Sequence, residues 1–168
     1  MNIREKINEY FENYYVQKKI ALLLLKYGLK IKNDKIYCGN IEQSNSKLAR
    51  AIDVDYRAVT DTIKKINENS ELKKFFTTLE PTPNLKNTAR KIGWGVIEIT
   101  PENPHLPGIL NGVTEIIAKK GISIRQAISE DYDITEKAKL IIVTESNIPH
   151  ELISKIKQVE GIKAITIY

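Results

Sequence analysis

Two prolines within three positions, in the stretch Glu80-Pro81-Thr82-Pro83-Asn84, divide the chain. Proline cannot continue a helix, so the stretch predicts a short, stiff connector. Before it, apolar residues recur at helical spacing, and after it strand-like runs alternate with helix-like runs. We therefore predict an α+β protein of two domains, residues 1–80 and 92–168, joined by a linker over residues 81–91.

The composition is typical of a soluble globular protein, with 42% hydrophobic and 28% charged residues among 168. The longest apolar run, residues 20–25, is far shorter than the roughly 20 residues of a membrane helix. The amino terminus carries no apolar signal-peptide core. Cys38 is the single cysteine, so no intrachain disulfide forms, and we expect a reducing, cytoplasmic location.

The net charge of +5 is distributed unevenly along the chain. Residues 1–88 carry 16 Lys and Arg against 11 Asp and Glu, whereas residues 89–168 carry 10 of each class. A basic module joined to a neutral one indicates different partners for the two halves. An ordinary lysine-rich surface is the alternative interpretation of the same count.

The first half is predicted to be mostly helical. Apolar spacing predicts helices over 3–14, 16–27, 46–52, 55–69 and 72–79, and Asn33-Asp34 is a turn signal within a hairpin over 29–38. Ser46 and Asp55 are suitable N-cap residues for two of these helices.

The helices at 46–52 and 55–69 are separated by only two residues. Leu48, Ile52, Val54, Val59 and Ile63 can face one core, and Ala49 is small enough for a close helix crossing. This pattern resembles the helix-turn-helix of bacterial and archaeal regulators, and with the preceding helix and hairpin it resembles a winged variant. Asp53 departs from the glycine usual at its position, but aspartate tolerates a left-handed turn.

The resemblance implies that the second helix enters the major groove of DNA with its amino end first. Arg57 would then contact guanine edges, and Tyr56 and Thr60 would contact bases or phosphates. Phosphate contacts are expected from Lys47, Arg50 and Lys65, and Lys64 is a further DNA contact displayed by the second helix. A helix-turn-helix that serves only as scaffold or dimer surface is the alternative.

The second half is predicted as strands over 94–101, 122–131, 137–144 and 162–168, with helices over 107–120 and 148–159. The order βαββαβ gives a four-stranded antiparallel, ferredoxin-like sheet with both helices on one face. The loop Asn103-Pro104-His105-Leu106-Pro107-Gly108 precedes the first of these helices, whose unpaired amides are suited to an anion such as a carboxylate.

Pro107-Gly108-Ile109-Leu110, together with Lys120-Gly121-Ile122-Ser123-Ile124 and the strand order, resembles the ACT domain over about residues 92–168. That family is a regulatory module that pairs edge to edge and often binds an amino acid. The resemblance places ligand contacts at Asn103, His105, Leu106, Pro107, Gly108, Ile109 and Ser123. The alternative is an ACT fold that only forms dimers.

Catalytic chemistry has little support in the sequence. The two histidines, His105 and His150, have no cysteine partners for a metal site, and neither a Gly-x-Ser-x-Gly elbow nor a glycine-rich phosphate loop is present. We predict no enzyme activity, no metal and no cofactor.

The sequence therefore predicts a cytoplasmic regulator of amino-acid metabolism, of archaeal or bacterial type. It would act as a homodimer or higher oligomer, with duplex DNA and a small effector, an amino acid, as partners, and without membrane association. Two alternatives stay open: a regulatory or assembly subunit of a metabolic enzyme that never binds DNA, and an RNA-binding module.

Overall fold

The computed structural model describes residues 2–132, 134–135 and 137–168. It is a mixed α+β protein with two antiparallel sheets, which confirms the predicted class. The chain divides into two compact units, with the boundary between Pro83 and Asn84.

The described residues of the first unit form five helices and three strands. The helices are α1 (Ile3–Tyr10), α2 (Tyr15–Lys26), α3 (Asn45–Ala51), α4 (Tyr56–Glu68) and α5 (Ser70–Thr78), and the strands are β1 (Leu29–Lys32), β2 (Lys35–Cys38) and β3 (Ile41–Gln43). Helix α4 packs against α2, α3 and α5. The largest fully buried side chains include Phe11, Ile20, Leu24, Ile63, Ile66, Leu72 and Phe76.

The predicted hairpin over 29–38 is present and is extended by β3 into an antiparallel sheet of order β1-β2-β3. Asn33 and Asp34 connect β1 to β2 with φ of 50° and 59°, the left-handed pair that a tight two-residue hairpin needs. Asn67 Nδ2 donates to Asp34 Oδ1 at 2.7 Å. The hairpin tip therefore lies at the carboxyl end of α4, and not beside the amino end, which is the end predicted to enter the groove.

The second unit is built around a four-stranded sheet of order β5-β6-β4-β7, in which all neighbours are antiparallel. Its elements are α6 (Lys86–Lys91), β4 (Gly95–Pro101), α7 (Ile109–Lys119), β5 (Ile124–Ser129), β6 (Leu140–Thr144), α8 (His150–Ile156) and β7 (Ile162–Ile167). From β4 to β7 the elements run strand, helix, strand, strand, helix, strand. Ile97 and Ile99 pack with Val113, Ile117 and Ile156 to form the core between one sheet face and helices α7 and α8.

The segment predicted as a linker, residues 81–91, contains helix α6. Ala89 is fully buried against Val96 and Val143, on the sheet face opposite the core with α7 and α8. The two prolines therefore mark where the second unit begins, but the residues that follow them are part of that unit because they cover its sheet.

Candidate functional site

Helices α3 and α4 are joined by a short turn, as the pattern in the sequence predicted. Asp53 adopts φ of 54°, in the left-handed region. Asp55 caps α4 by accepting a hydrogen bond from Arg57 N at 2.7 Å. Helix α3 begins earlier than predicted, because Ser44 and not Ser46 is its N-cap and accepts from Lys47 N at 3.4 Å.

One face of this helix pair is buried and the other is open. Ala49, Val59 and Ile63 are buried, whereas Leu48, Ile52 and Val54 are half-buried. The opposite side of α4 exposes Arg57, Asp61, Lys64 and Glu68, which recur at helical spacing. The amino end of α4 is thus exposed to solvent on its outer face.

The cations predicted to contact DNA lie on this open face. Lys47 and Arg50 of α3 and Arg57 and Lys64 of α4 are exposed. Within the described part of the chain, none of these four side chains pairs with a carboxylate. An unpaired surface cation keeps its full charge available to a phosphate or a base edge.

The remaining predicted DNA contacts are less uniform. Tyr56 is 49% exposed at the amino end of α4. Thr60 is half-buried, and its hydroxyl donates to Tyr56 O at 3.4 Å. Lys65 Nζ lies 3.8 Å from the centroid of the Tyr14 ring, which places its ammonium on the flank of α4 and away from the open face.

A second candidate site lies in the loop between β4 and α7. Asn103 Oδ1 accepts from His105 N at 2.9 Å, and the His105 ring lies 3.8 Å from the Tyr132 ring. The two side chains that were predicted to orient a ligand are therefore already engaged. Asn103 accepts a hydrogen bond within the loop, and the His105 ring contacts the Tyr132 ring outside the loop. Gly108 has φ of 97° and begins α7 without any side-chain cap, so the first amides of the helix are free of side-chain acceptors.

A cavity of about 220 Å³ lies beside this loop. It is lined by the loop, the first turn of α7, the end of β5 and the start of β6. Leu106, Pro107, Gly108 and Ile109, four of the predicted ligand residues, line it, and so does Glu130. The sequence placed Glu130 at the tip of a hairpin beside another acid, Asp131, which favoured a solvated role, so Glu130 was not assigned to the ligand site. The lining thus combines the first amides of α7, apolar side chains, and a carboxylate whose Oε2 accepts a hydrogen bond from Lys139 N at 3.1 Å.

Ser123, also predicted as a ligand contact, does not lie near this loop. Register pairs Ile99 with Leu140 and Leu140 with Ser129, at the cavity end of the sheet. Ser123 precedes Ile124 at the opposite end, where its N–H donates to Glu145 Oε1 at 3.2 Å. Six residues of extended chain separate Ser123 from Ser129 at the cavity end, which is roughly 20 Å along the strand. A single chain does not unite them.

The face of the sheet that α6 covers holds a polar cluster that was not predicted. Glu98 is only 5% exposed and forms ion pairs with Lys86 and Lys139. The Tyr168 hydroxyl hydrogen bonds with Lys86 Nζ at 2.8 Å. In the sequence, this cluster was indicated by one acid, Glu98, within the apolar strand run 95–99.

Burial of Glu98 by itself would raise its pKa. The hydrogen bonds and charges of Lys139 and Lys86 outweigh that effect and hold the pKa of the carboxyl below its ordinary value. Burial likewise opposes the charge on Lys86, but hydrogen bonds to Glu98 and Tyr168 raise the pKa of its ammonium. The cluster is therefore charged at neutral pH.

The described residues also lack two other kinds of feature, a metal site and a membrane-spanning helix. No three His, Cys, Asp or Glu side chains among them are placed to hold a metal ion. None of the described helices is both long and apolar enough to cross a bilayer.

Comparison with known proteins gives distant structural likenesses. No protein-family model matches the chain, and no curated protein matches it. Among solved structures, it is similar to a transcriptional regulatory protein of the AsnC family from Pyrococcus furiosus, with 15% identity and a TM-score of 0.28, covering 75% of this chain and 77% of that chain. It is also similar to a protein named PH0061, with 11% identity and a TM-score of 0.29, covering 90% and 88%. At such TM-scores neither likeness supports a conclusion about this chain.

Proposed function

We propose that the chain is a DNA-binding transcription regulator that senses a small ligand, an amino acid, and acts as a homodimer or larger assembly. The observation that carries the proposal is the open face of α3 and α4, where four cations lack a carboxylate partner among the described residues. The first unit provides the DNA contact and the second unit provides an ACT-like sensor. The proposal assigns no catalytic step to the chain.

In the proposed complex, the amino end of α4 enters the major groove. Arg57 projects from the first turn, where a guanidinium can donate two hydrogen bonds to the O6 and N7 of guanine. Lys47 and Arg50 of the preceding helix contact phosphates and set the orientation of α4. Asp61 and Glu68 on the same face disfavour close phosphates, so the base contacts are assigned to the first turn of α4, ahead of Asp61.

The proposed ligand site is the cavity beside Gly108. A carboxylate accepts hydrogen bonds from the free amides at the start of α7, and the Glu130 carboxylate attracts an ammonium group. The apolar walls, which include Ile99 and Leu140, suit the side chain of an amino acid. Ser123 contributes to this ligand site only if it comes from a second copy of the chain in the proposed oligomer.

The DNA contact is tested by selecting duplexes from a randomised pool with the wild-type chain and with Arg57→Ala. We expect the wild type to enrich one sequence, and Arg57→Ala to lose the preference at one base pair with about tenfold weaker binding, since one bidentate contact contributes roughly 1–3 kcal/mol. Arg125→Ala, which removes an exposed arginine from β5 of the second unit, is the matched control.

Absence of binding by the wild type to every duplex at low salt would contradict the proposal. That result, combined with isolation of a stable complex with a metabolic enzyme, would favour the alternative function as an enzyme subunit. Binding to a structured RNA and not to duplex DNA would favour the RNA-binding alternative.

A further inference from the structure

The apolar run of α2, residues 20–25, is not fully buried in the core of the first unit. Four of its residues are buried, whereas Leu23 is half-buried. Tyr27 follows Leu23 by about one helical turn, so the two side chains lie on the same side of the helix. Tyr27 is 54% exposed. One apolar stripe of α2 therefore lies on the surface of the unit.

Helix α3 places a second apolar stripe beside the first. Leu48, Ala51 and Ile52 line a groove of about 380 Å³ together with Leu23 and Tyr27 of α2. None of these five residues is buried. Within the described part of the chain, no acid is among the residues that line this groove, termed the α2–α3 groove.

The three-stranded sheet extends the apolar surface to its edge. Leu29 pairs with Cys38, and Cys38 pairs with Ile41. Residues that are paired across neighbouring strands point to the same face of a sheet, so these three side chains form a row. Leu29 lines the α2–α3 groove, and Ile41, on the edge strand β3, is 70% exposed. The apolar surface thus continues from the groove to the edge strand.

Three lysines border this apolar surface. Lys47 lines the α2–α3 groove itself. Lys19 Nζ donates to Ile52 O at 2.9 Å, and Lys26 Nζ lies 5.4 Å from the centroid of the Tyr27 ring, so each ammonium lies beside a lining residue. The three lysines are exposed, and among the described residues none of them pairs with a carboxylate.

The acids closest to the groove in sequence do not cancel this charge. Glu42 pairs with Lys35, and Glu80 pairs with Lys30. Asp53, in the turn after α3, is exposed and supplies one negative charge against three positive ones. The border of the α2–α3 groove therefore carries a net positive charge.

We propose that the α2–α3 groove binds an amphipathic helical segment of a partner protein, with apolar residues facing the groove and acidic residues beside them. Apolar residues at positions i, i+3, i+4 and i+7 form the stripe that such a groove accepts. Acids next to that stripe would face Lys19, Lys26 and Lys47, which gives electrostatic complementarity. Because the apolar surface continues to Ile41, it suits an extended segment better than a compact small molecule. The inference goes beyond the proposed DNA binding and does not rest on it.

The test uses synthetic peptides of about 16 residues, roughly four helical turns, that share one leucine stripe. The residues beside the stripe are glutamate in the first peptide, glutamine in the second and lysine in the third. Fluorescence anisotropy measures binding to the full chain in the absence of DNA. We expect the glutamate peptide to bind about tenfold more tightly than the lysine peptide, with the glutamine peptide between them, because like charges that face each other across an interface disfavour binding.

Substitutions locate the bound peptide. Leu23→Ser, which truncates an apolar side chain of the groove, is expected to weaken binding of the glutamate peptide about tenfold. Lys47→Gln, which removes one charge pair at the surface, is expected to weaken it roughly threefold. The matched controls are Leu22→Ser, at a half-buried leucine of the same helix, and Lys64→Gln, at an exposed lysine of α4. Neither residue lines the groove, so both controls are expected to bind like the wild type.

Amide chemical shifts of the isotope-labelled wild type give a second measurement that needs no variant. Addition of the glutamate peptide is expected to shift the amides of α2, α3 and β3, and thermal melting verifies that each variant is folded. Absence of binding by all three peptides, tighter binding of the lysine peptide, or equal losses for Leu22→Ser and Leu23→Ser would overturn the inference.

Sedimentation of the wild type and of Leu23→Ser tests whether a second copy of the chain occupies the groove. We expect both to have the same oligomeric state. Dissociation of the wild-type assembly by Leu23→Ser would assign the α2–α3 groove to self-association and overturn the partner segment. Failure of the wild type to bind duplex DNA would overturn the proposed function, whereas the peptide measurements would still decide the role of the groove.

Discussion

At the scale of single residues, the turn between α3 and α4 depends on Asp53. Its φ of 54° lies in the left-handed region, which costs an ordinary L-residue roughly 1–2 kcal/mol and costs aspartate less. The departure from glycine at this position was visible in the sequence, and the structure accommodates it. Asp55, two residues later, supplies the cap that starts α4.

Substitutions at Asp53 test this strain directly. Asp53→Val is expected to unfold at a lower urea concentration than Asp53→Gly. Its free energy of unfolding should be lower by about 1–2 kcal/mol, because a β-branched side chain is strained at positive φ. Both substitutions remove the same charge, so the difference in stability between the two variants isolates the effect of backbone strain. Equal midpoints for the two variants, with equal slopes, would show that this turn relaxes when Asp53 is replaced.

Residue types alone did not determine which predicted ligand contacts meet. Leu106, Pro107, Gly108 and Ile109 are consecutive, so any strand–loop–helix arrangement places them together. Ser123 was assigned through family resemblance. It follows the carboxyl end of α7 whereas the loop precedes the amino end, so the length of that helix keeps the two apart within one chain.

At the scale of elements, strongly periodic helices and apolar strands were predictable and α6 was not. It has only six residues, and Ala89 is its single buried side chain. An isolated helix of that length is unstable in water. Its stability comes from contacts with the sheet, including the ion pair of Lys86 with Glu98 and the hydrogen bond of Leu85 N with Gln126 Oε1 at 2.9 Å.

Glu98→Gln tests how much this cluster stabilises the second unit. We expect the variant to lose about 1–3 kcal/mol at pH 7, because it weakens charged hydrogen bonds to Lys86 and Lys139. The pKa of Glu98 is lowered by folding, so its contribution is full above the ordinary value of 4.5 and is lost as pH falls below that value. Urea unfolding at pH 7, 5 and 4 measures the difference from wild type.

The matched variant for that experiment is Glu115→Gln, whose carboxylate pairs with Lys119 on the exposed surface of α7. A surface pair of this kind contributes little to stability. A loss for Glu98→Gln that is no larger than the loss for Glu115→Gln at pH 7 would contradict a stabilising role for the cluster.

At the scale of the whole molecule, the uneven charge and the proline pair indicated two units with separate tasks. The boundary between Pro83 and Asn84 lies within the stretch identified from the sequence. The candidate DNA surface lies entirely in the basic unit and the cavity lies entirely in the neutral one. The proposed function requires ligand binding in one unit to alter DNA affinity in the other, and that requires different ligand affinities in two states of the chain.

The ligand proposal is tested by thermal shift against the twenty amino acids, with Gly108→Val and Gly121→Val compared. Both glycines have positive φ, 97° and 77°, and both have open space around an added Cβ, so the two substitutions impose similar backbone strain. They lie at opposite ends of α7, and only Gly108 lines the cavity.

A ligand at one hundred times its dissociation constant stabilises the folded state by about 2.7 kcal/mol. We expect one amino acid, or a few related ones, to raise the melting temperature of wild type and of Gly121→Val but not of Gly108→Val. An equal response of both variants would place the ligand elsewhere in the second unit, and a flat response of the wild type to all twenty would leave this cavity without an amino-acid role.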